Sequence, residues 1–270
     1  MSVHGSSAAK VTVSTLQSMK RDGRPIASMT VYDASFARVL DAAGMDFVLV
    51  GDTLGQVIQG HDSTLPVTVD DVIYHACAVG RGLERALLMV DMPFLSFTSP
   101  EQALANAGRM LKESGAQIVK LEGGGAQAET VQRLNECGIP VCAHLGLKPQ
   151  SVHKTGYRMQ GRDEASARAI LEDALALQAA GADLVLLECV PARLAREITR
   201  NLRIPVIGIG SGVDCDGQIL VLQDALGVTP RPPRLARDFL QDGGSIAGAI
   251  EGYVASVRER SFPAAEHTVE

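Results

Sequence analysis

The chain lacks tryptophan, has only four tyrosines and six phenylalanines in 270 residues, and contains no apolar run of the roughly 18 residues that a membrane-spanning helix takes. A chain this poor in aromatics that is still 46% hydrophobic must build its core from Val, Ile, Leu and Ala, as proteins with buried parallel strands do. It has no basic excess: 25 Lys and Arg stand against 31 Asp and Glu, a net charge of -6, with no block of Lys or Arg. Neither a nucleic acid nor an anionic membrane is therefore expected as a partner. The cysteines are odd in number, with no C-x-x-C pair: Cys77, Cys137, Cys142, Cys189 and Cys215. That pattern reads as reduced thiols in a cytoplasmic protein. The first 15 residues lack a charged segment followed by an apolar one, and a loosely attached N-terminus is expected there.

Five short apolar runs end, or nearly end, in an ionisable or ligating residue. They are FVLVGD to Asp52, ALLMVD to Asp91, QIVKLE through Lys120 to Glu122, VCAHL with His144, and LVLLE to Glu188. A buried strand that ends in a charge is costly unless that end opens into a site. Five such ends suggest one shared active site.

From about residue 25 onward, apolar runs of strand length alternate with amphipathic stretches, the pattern of βα units and a parallel sheet. Strands are expected near 26–31, 46–51, 86–91, 117–122, 140–145, 183–188, 205–209 and 218–223. Eight strands in this length match one α/β (β/α)8 TIM barrel over residues 11–262, with flexible ends at 1–10 and 263–270 and a C-terminal helical extension within 234–260. Thr68 with Asp71, and Ser99 with Pro100 and Gln102, read as helix starts. A helix over 163–180 is expected to turn Ala169, Ile170, Leu171, Ala174, Leu175 and Leu177 toward the barrel. Two long segments, TLGQVIQGHDSTLPVTVDD and GLKPQSVHKTGYRMQGRDE, follow strands two and five and read as lids or binding loops. GIGSG at 208–212 is a weak candidate for phosphate binding at a helix start.

Asp52, Asp91 and Glu122 fall at the ends of neighbouring strands, about 4.8 Å apart. Three such carboxylates repel one another unless a cation sits among them, and Mg²⁺, with its oxygen shell, is the natural occupant. Each acid alone could equally be a helix cap or an ion-pair partner. Lys120, two residues before Glu122, shares its side of the sheet and can hold a substrate anion or neutralise the acids. His144 is expected at the substrate site in a supporting role. Glu188, after four apolar residues, is expected in a dry setting that raises its pKa toward that of a general base, or else in an ion pair with a nearby Arg.

Several long segments, in order from about residue 12 to 260, closely resemble the 3-methyl-2-oxobutanoate (ketopantoate) hydroxymethyltransferase family. They include YDASFARVLDAAGMDFVLVGDTLG, GHDSTLPVTVDDVIYH, VKLEGG, HLGLKPQSVHKTGYRMQGR and IPVIGIGSGVDCDGQILVLQD. The resemblance implies a (β/α)8 barrel that uses Mg²⁺ and 5,10-methylenetetrahydrofolate to make 2-dehydropantoate for pantothenate biosynthesis. It implies Asp52 and Asp91 as direct metal ligands, with Glu122 a ligand or a holder of one. Asp52, Thr53 and Asp91 would contact the 2-oxoacid, Lys120 its carboxylate, and Glu188 would accept the proton. It further implies a homo-oligomer, usually a decamer. The family commonly reads VGDSLGM where this chain has VGDTLGQ, so Thr53 keeps a hydroxyl and adds a methyl, and Gln56 adds a polar group. The rival readings are a Mg²⁺-dependent C–C lyase or mutase of the phosphoenolpyruvate/isocitrate lyase type and a non-catalytic metabolite-binding barrel.

Overall fold

A computed structural model of the chain describes residues 9–156 and 158–268. Eight strands, β1 (Ile26–Thr30), β2 (Phe47–Val50), β3 (Leu87–Asp91), β4 (Ile118–Glu122), β5 (Val141–Gly146), β6 (Leu184–Glu188), β7 (Val206–Ile209) and β8 (Gly217–Leu220), pair in parallel in chain order. β8 returns to β1, so the barrel is closed. The helices are α1 (Val13–Arg21), α2 (Ala34–Ala42), α3 (Leu54–Val57), α4 (Val69–Gly80), α5 (Pro100–Ser114), α6 (Ala128–Glu136), α7 (Val152–Thr155), α8 (Glu164–Ala179), α9 (Ala192–Asn201), α10 (Leu222–Ala225), α11 (Leu240–Gly243) and α12 (Ile246–Arg258). This is the expected (β/α)8 architecture, and each strand lies where the apolar runs placed it.

The period of two in the strands divides the core. Ile26, Phe47, Leu87, Met89, Ile118, Cys142, Leu184, Leu186, Ile207 and Ile219 fill the barrel interior. The residues between them, such as Val48, Leu88, Val119, Ala143 and Val185, belong to the layer under the helices. A parallel strand buried on both faces thus reads as a continuous apolar run, but only alternate residues point at the interior.

Local chemistry fixes the helix ends. Thr68 Oγ1 accepts from Asp71 N while the Asp71 carboxylate accepts from Thr68 N, the reciprocal cap expected for α4. Ser99 caps α5 with Pro100 at its first position, but the Gln102 side chain reaches one residue further back and accepts from Thr98 N and Oγ1. The expected inward face of α8 needs correction. Ala174 and Leu177 are buried, with Ile170 packed beside them, while Ala169 and Leu175 face outward. At 3.6 residues per turn Leu175 lies about 140° round from Ile170, so the two cannot share a face.

The N-terminal segment packs from Val11 onward, nearer the start than the first 15 residues suggested. Thr12 and Thr15 cap α1, and Val11, Leu16 and Met19 join the interior layer, with Val11 N donating to Arg85 O. The tail after β8 ends in α12, capped by Ser245 as expected. It packs on β1 and α2, and the Tyr253 hydroxyl donates to Ser28 O at 2.9 Å. Pro263 is buried, and His267 lies against the Phe262 ring.

Candidate active site

The inward columns of β3 to β6 change character at their C-terminal ends. Met89 is followed two residues later by Asp91, Ile118 by Lys120 and then Glu122, Cys142 by His144, and Leu186 by Glu188. Register then sets these side chains beside one another: Asp91 pairs with Lys120, and Glu122 with His144. Glu188 pairs with Gly146, whose φ is +94°; a Cβ there would lie 2.2 Å from Glu188 O, so only glycine fits. Asp52 stands just beyond β2, at the turn into α3.

Lys120 Nζ donates to Asp91 Oδ2 at 2.6 Å and lies 3.9 Å from Glu122 Oε1. Asp52 N donates to the same Asp91 oxygen at 3.3 Å. His144 sits between two carboxylates, Nδ1 being 3.4 Å from Glu122 Oε1 and Nε2 3.4 Å from Glu188 Oε2. Neither ring nitrogen is aligned for a hydrogen bond. Gln150, from the loop after β5, ties the group together. Its Nε2 donates to Asp52 Oδ2 and Met92 O, both at 3.0 Å, and its backbone N donates to Glu122 Oε2 at 3.1 Å.

Burial governs the protonation of these groups. It holds Asp52 and Asp91 above the usual carboxylate range, their mutual repulsion adding to the effect at Asp52 and Lys120 opposing it at both. Burial also works against the charged forms of Lys120 and His144. The surrounding carboxylates outweigh it, so the Lys120 ammonium and the His144 imidazolium are both held above their ordinary values. For Glu122 burial is outweighed by His144, Lys120 and the Gln150 amide, and its carboxyl is held low.

A cavity of about 550 Å³ opens over this end of the barrel. Asp52, Thr53, Asp91, Lys120, His144 and Glu188 all line it. Glu122 is not among the lining residues; it contacts Lys120, His144 and Gln150. Among the described residues no group of three or more His, Cys, Asp and Glu is gathered closely enough to hold a metal ion as the side chains stand. Even so, the acids suit a hard cation. Asp91 Oδ1 and Glu122 Oε1 are buried without a hydrogen-bond partner, the donors are carboxylate oxygens, and burial penalises two of them as anions.

Two expectations change with the fold. The Glu188 side chain is 20% exposed, so the apolar run before it does not create a dry setting. Val185 and Leu187 pack outward under the helices, and only Leu184 and Leu186 share the side of Glu188. GIGSG opens no helix, because β8 follows it. Ser211 instead donates to Leu187 O and accepts from Val190 N, pinning β6 to β7.

Three further residues stand at the site. Gln150 could have been suspected only as a polar residue in a long loop. Tyr32, two residues beyond Thr30 of β1, has a buried hydroxyl within the field of Asp52, Asp91 and Lys120. Asp224 lines the cavity from α10, a position that the sequence marks only as another acid.

The ketopantoate hydroxymethyltransferase family model matches residues 10–265 of the chain. The chain is 58% identical over 268 residues to a 3-methyl-2-oxobutanoate hydroxymethyltransferase of Halorhodospira halophila, covering 99% of this chain and 97% of that protein. It is also 58% identical over 260 residues to the protein of that name from Alkalilimnicola ehrlichii, covering 96% and 94%. Among solved structures, a 2,3-dimethylmalate lyase of the PEP mutase/isocitrate lyase superfamily shares the fold, with a TM-score of 0.57 at 18% identity, over 82% of this chain and 81% of that one.

Proposed function

The chain belongs to the ketopantoate hydroxymethyltransferase family, and from that premise we propose that it transfers a hydroxymethyl group from 5,10-methylenetetrahydrofolate to 3-methyl-2-oxobutanoate, giving 2-dehydropantoate for pantothenate biosynthesis. The observation that carries this reading is the inward column of ionisable groups at one barrel mouth, where (β/α)8 enzymes do their chemistry. Lys120, held charged by its carboxylate neighbours, meets the carboxylate of the oxoacid. Thr53 offers a hydroxyl beside it. Glu188, which lines the cavity, takes the C3 proton, with His144 Nε2 3.4 Å from its Oε2. The carbanion carbon then forms a bond to the one-carbon unit of the folate. One C–N bond of that unit breaks as the new bond forms, water displaces the other and supplies the hydroxyl oxygen, and the two folate nitrogens take the C3 proton from Glu188 and one proton of the water as tetrahydrofolate leaves.

Asp52 and Asp91 would hold Mg²⁺, with Glu122 as a further ligand or as support behind them. When bound, the ion supplies Lewis-acid polarisation of the oxoacid's carbonyl. The barrel over residues 11–262 acts as one catalytic domain, and the protein is cytoplasmic and homo-oligomeric, a decamer by family likeness. Among the described residues no helix is long and apolar enough to cross a membrane.

The lyase or mutase alternative is less well supported. A lyase of that sort often carries a nucleophilic or acid cysteine on a mobile loop, and neither long loop contains one. The cysteine that does line the cavity, Cys189, has its thiol pushed up to about 12 by burial and by Glu188. The proposal is tested by following the C3 proton of 3-methyl-2-oxobutanoate in D₂O by proton NMR. The expected result is exchange in the presence of Mg²⁺ but not EDTA, product on adding methylenetetrahydrofolate, and exchange about 10²- to 10⁴-fold slower in Glu188→Gln. Undiminished exchange in that variant would remove Glu188 from the role, and no exchange in the wild type would sink the reaction.

A further inference from the structure

The cavity is lopsided. Its catalytic side chains come from the β2 to β6 arc, while the wall from β7 round to the segment after β8 is apolar, formed by Ile209, Ile219, Leu220, Val221 and Leu235. One carboxylate interrupts that wall. Asp224 is 6% exposed, and its Oδ1 accepts a 2.5 Å hydrogen bond from Thr229 Oγ1. Among the described residues Oδ2 has no hydrogen-bond partner. A carboxylate on an apolar wall is costly without donors to meet it, and burial holds this one above the usual range. At the rim lies Arg231, exposed and, among the described residues, without an ion pair. The volume argues in the same direction. About 550 Å³ is the size of a pocket for a drug-sized molecule, and a small branched oxoacid on Lys120 leaves much of it unfilled.

Resting on the folate-dependent reaction proposed above, we infer that this wall is the folate pocket, with Asp224 accepting hydrogen bonds from the pterin ring and Arg231 meeting the glutamate carboxylates at the mouth. The pterin presents N3–H and its 2-amino group side by side, two donors that match the two oxygens of one carboxylate. Its flat ring covers the aliphatic wall. Asparagine at 224 would keep the size but turn an amide donor toward one of the two pterin donors, and such a mismatch is worth about tenfold or more in affinity.

The experiment is anaerobic titration calorimetry with two probes, tetrahydrofolate and 6-methyltetrahydropterin, the second lacking the glutamate tail. Asp224→Asn is expected to weaken both by about tenfold or more, whereas Arg231→Ala weakens tetrahydrofolate several-fold and leaves the pterin unchanged. C3 exchange of the oxoacid, run without folate, reports separately on the other half of the cavity. Wild-type affinity for both probes in Asp224→Asn overturns the inference. So does loss of C3 exchange along with pterin binding, which would mark Asp224 as a residue of the fold or of the oxoacid half. A wild type that exchanges the C3 proton yet binds neither probe sinks the folate donor itself, and with it this pocket.

Discussion

Gln150 is the side chain whose removal best separates holding the site from doing its chemistry. It touches Asp52, Glu122 and the carbonyl of Met92, yet its amide has no proton to offer a reaction at neutral pH. In Gln150→Ala the backbone donor to Glu122 remains, while Asp52 Oδ2 and Met92 O lose theirs inside the protein. Leaving such acceptors unmet costs about 1–3 kcal/mol. The expected outcome is a loss of that size in urea unfolding without metal, and a smaller loss in saturating Mg²⁺, where a cation on Asp52 takes over the work of the lost donor. An equal loss in both conditions would show that Gln150 serves packing alone. The same scale explains what sequence could not disclose. Nothing in GLKPQS marks its glutamine as the contact between two acids that lie far apart in the chain, because the contact exists only after the barrel has closed.

At the scale of elements the sequence was more legible, and the reason is physical. Strand runs, caps and turns are written locally: an apolar run must be buried, and Thr68 with Asp71 can satisfy the first amides of α4 whatever the rest of the chain does. That cap gives a direct prediction. Thr68→Ala should cost about 1 kcal/mol, read by urea unfolding. The Thr68 hydroxyl is the main cause holding the Asp71 carboxyl below its usual value. Its contribution is therefore present at neutral pH and is lost as the pH falls through the lowered pKa, so the gap between wild type and Thr68→Ala should close in acid. Less legible was which side of an element faces inward. The face of α8 was drawn too wide because seven of the nine residues from 169 to 177 are apolar, which suggests a broader stripe than one helix can bury. The apolar residues before Glu188 suggested dryness for the same kind of reason, since two of the four belong to the other face of the strand.

For the whole molecule, the cluster at the barrel mouth makes stability depend on pH in an unusual sense. Asp52 and Asp91 bind their protons more tightly in the folded chain than in the unfolded one, chiefly because they are buried. Their contribution to stability is then fullest below the ordinary carboxylate pKa of about 4, and it is lost as the pH rises through their raised values. Most paired surface acids, such as Asp71, act the other way. The metal-free protein should accordingly lose stability as the pH climbs through the raised range, to an extent that the double variant Asp52→Asn, Asp91→Asn largely removes. Mg²⁺ on these carboxylates favours the anions and should abolish or reverse that slope in the wild type but not in the double variant. Saturation at about a hundred times the dissociation constant adds about 2.7 kcal/mol. Thermal unfolding across pH, with Mg²⁺ and with EDTA, reads all of these quantities at once. A wild type whose melting temperature is indifferent to Mg²⁺ at every pH would show that the two acids hold no cation. The ammonium of Lys120, already 2.6 Å from Asp91, would then be the charge that balances them.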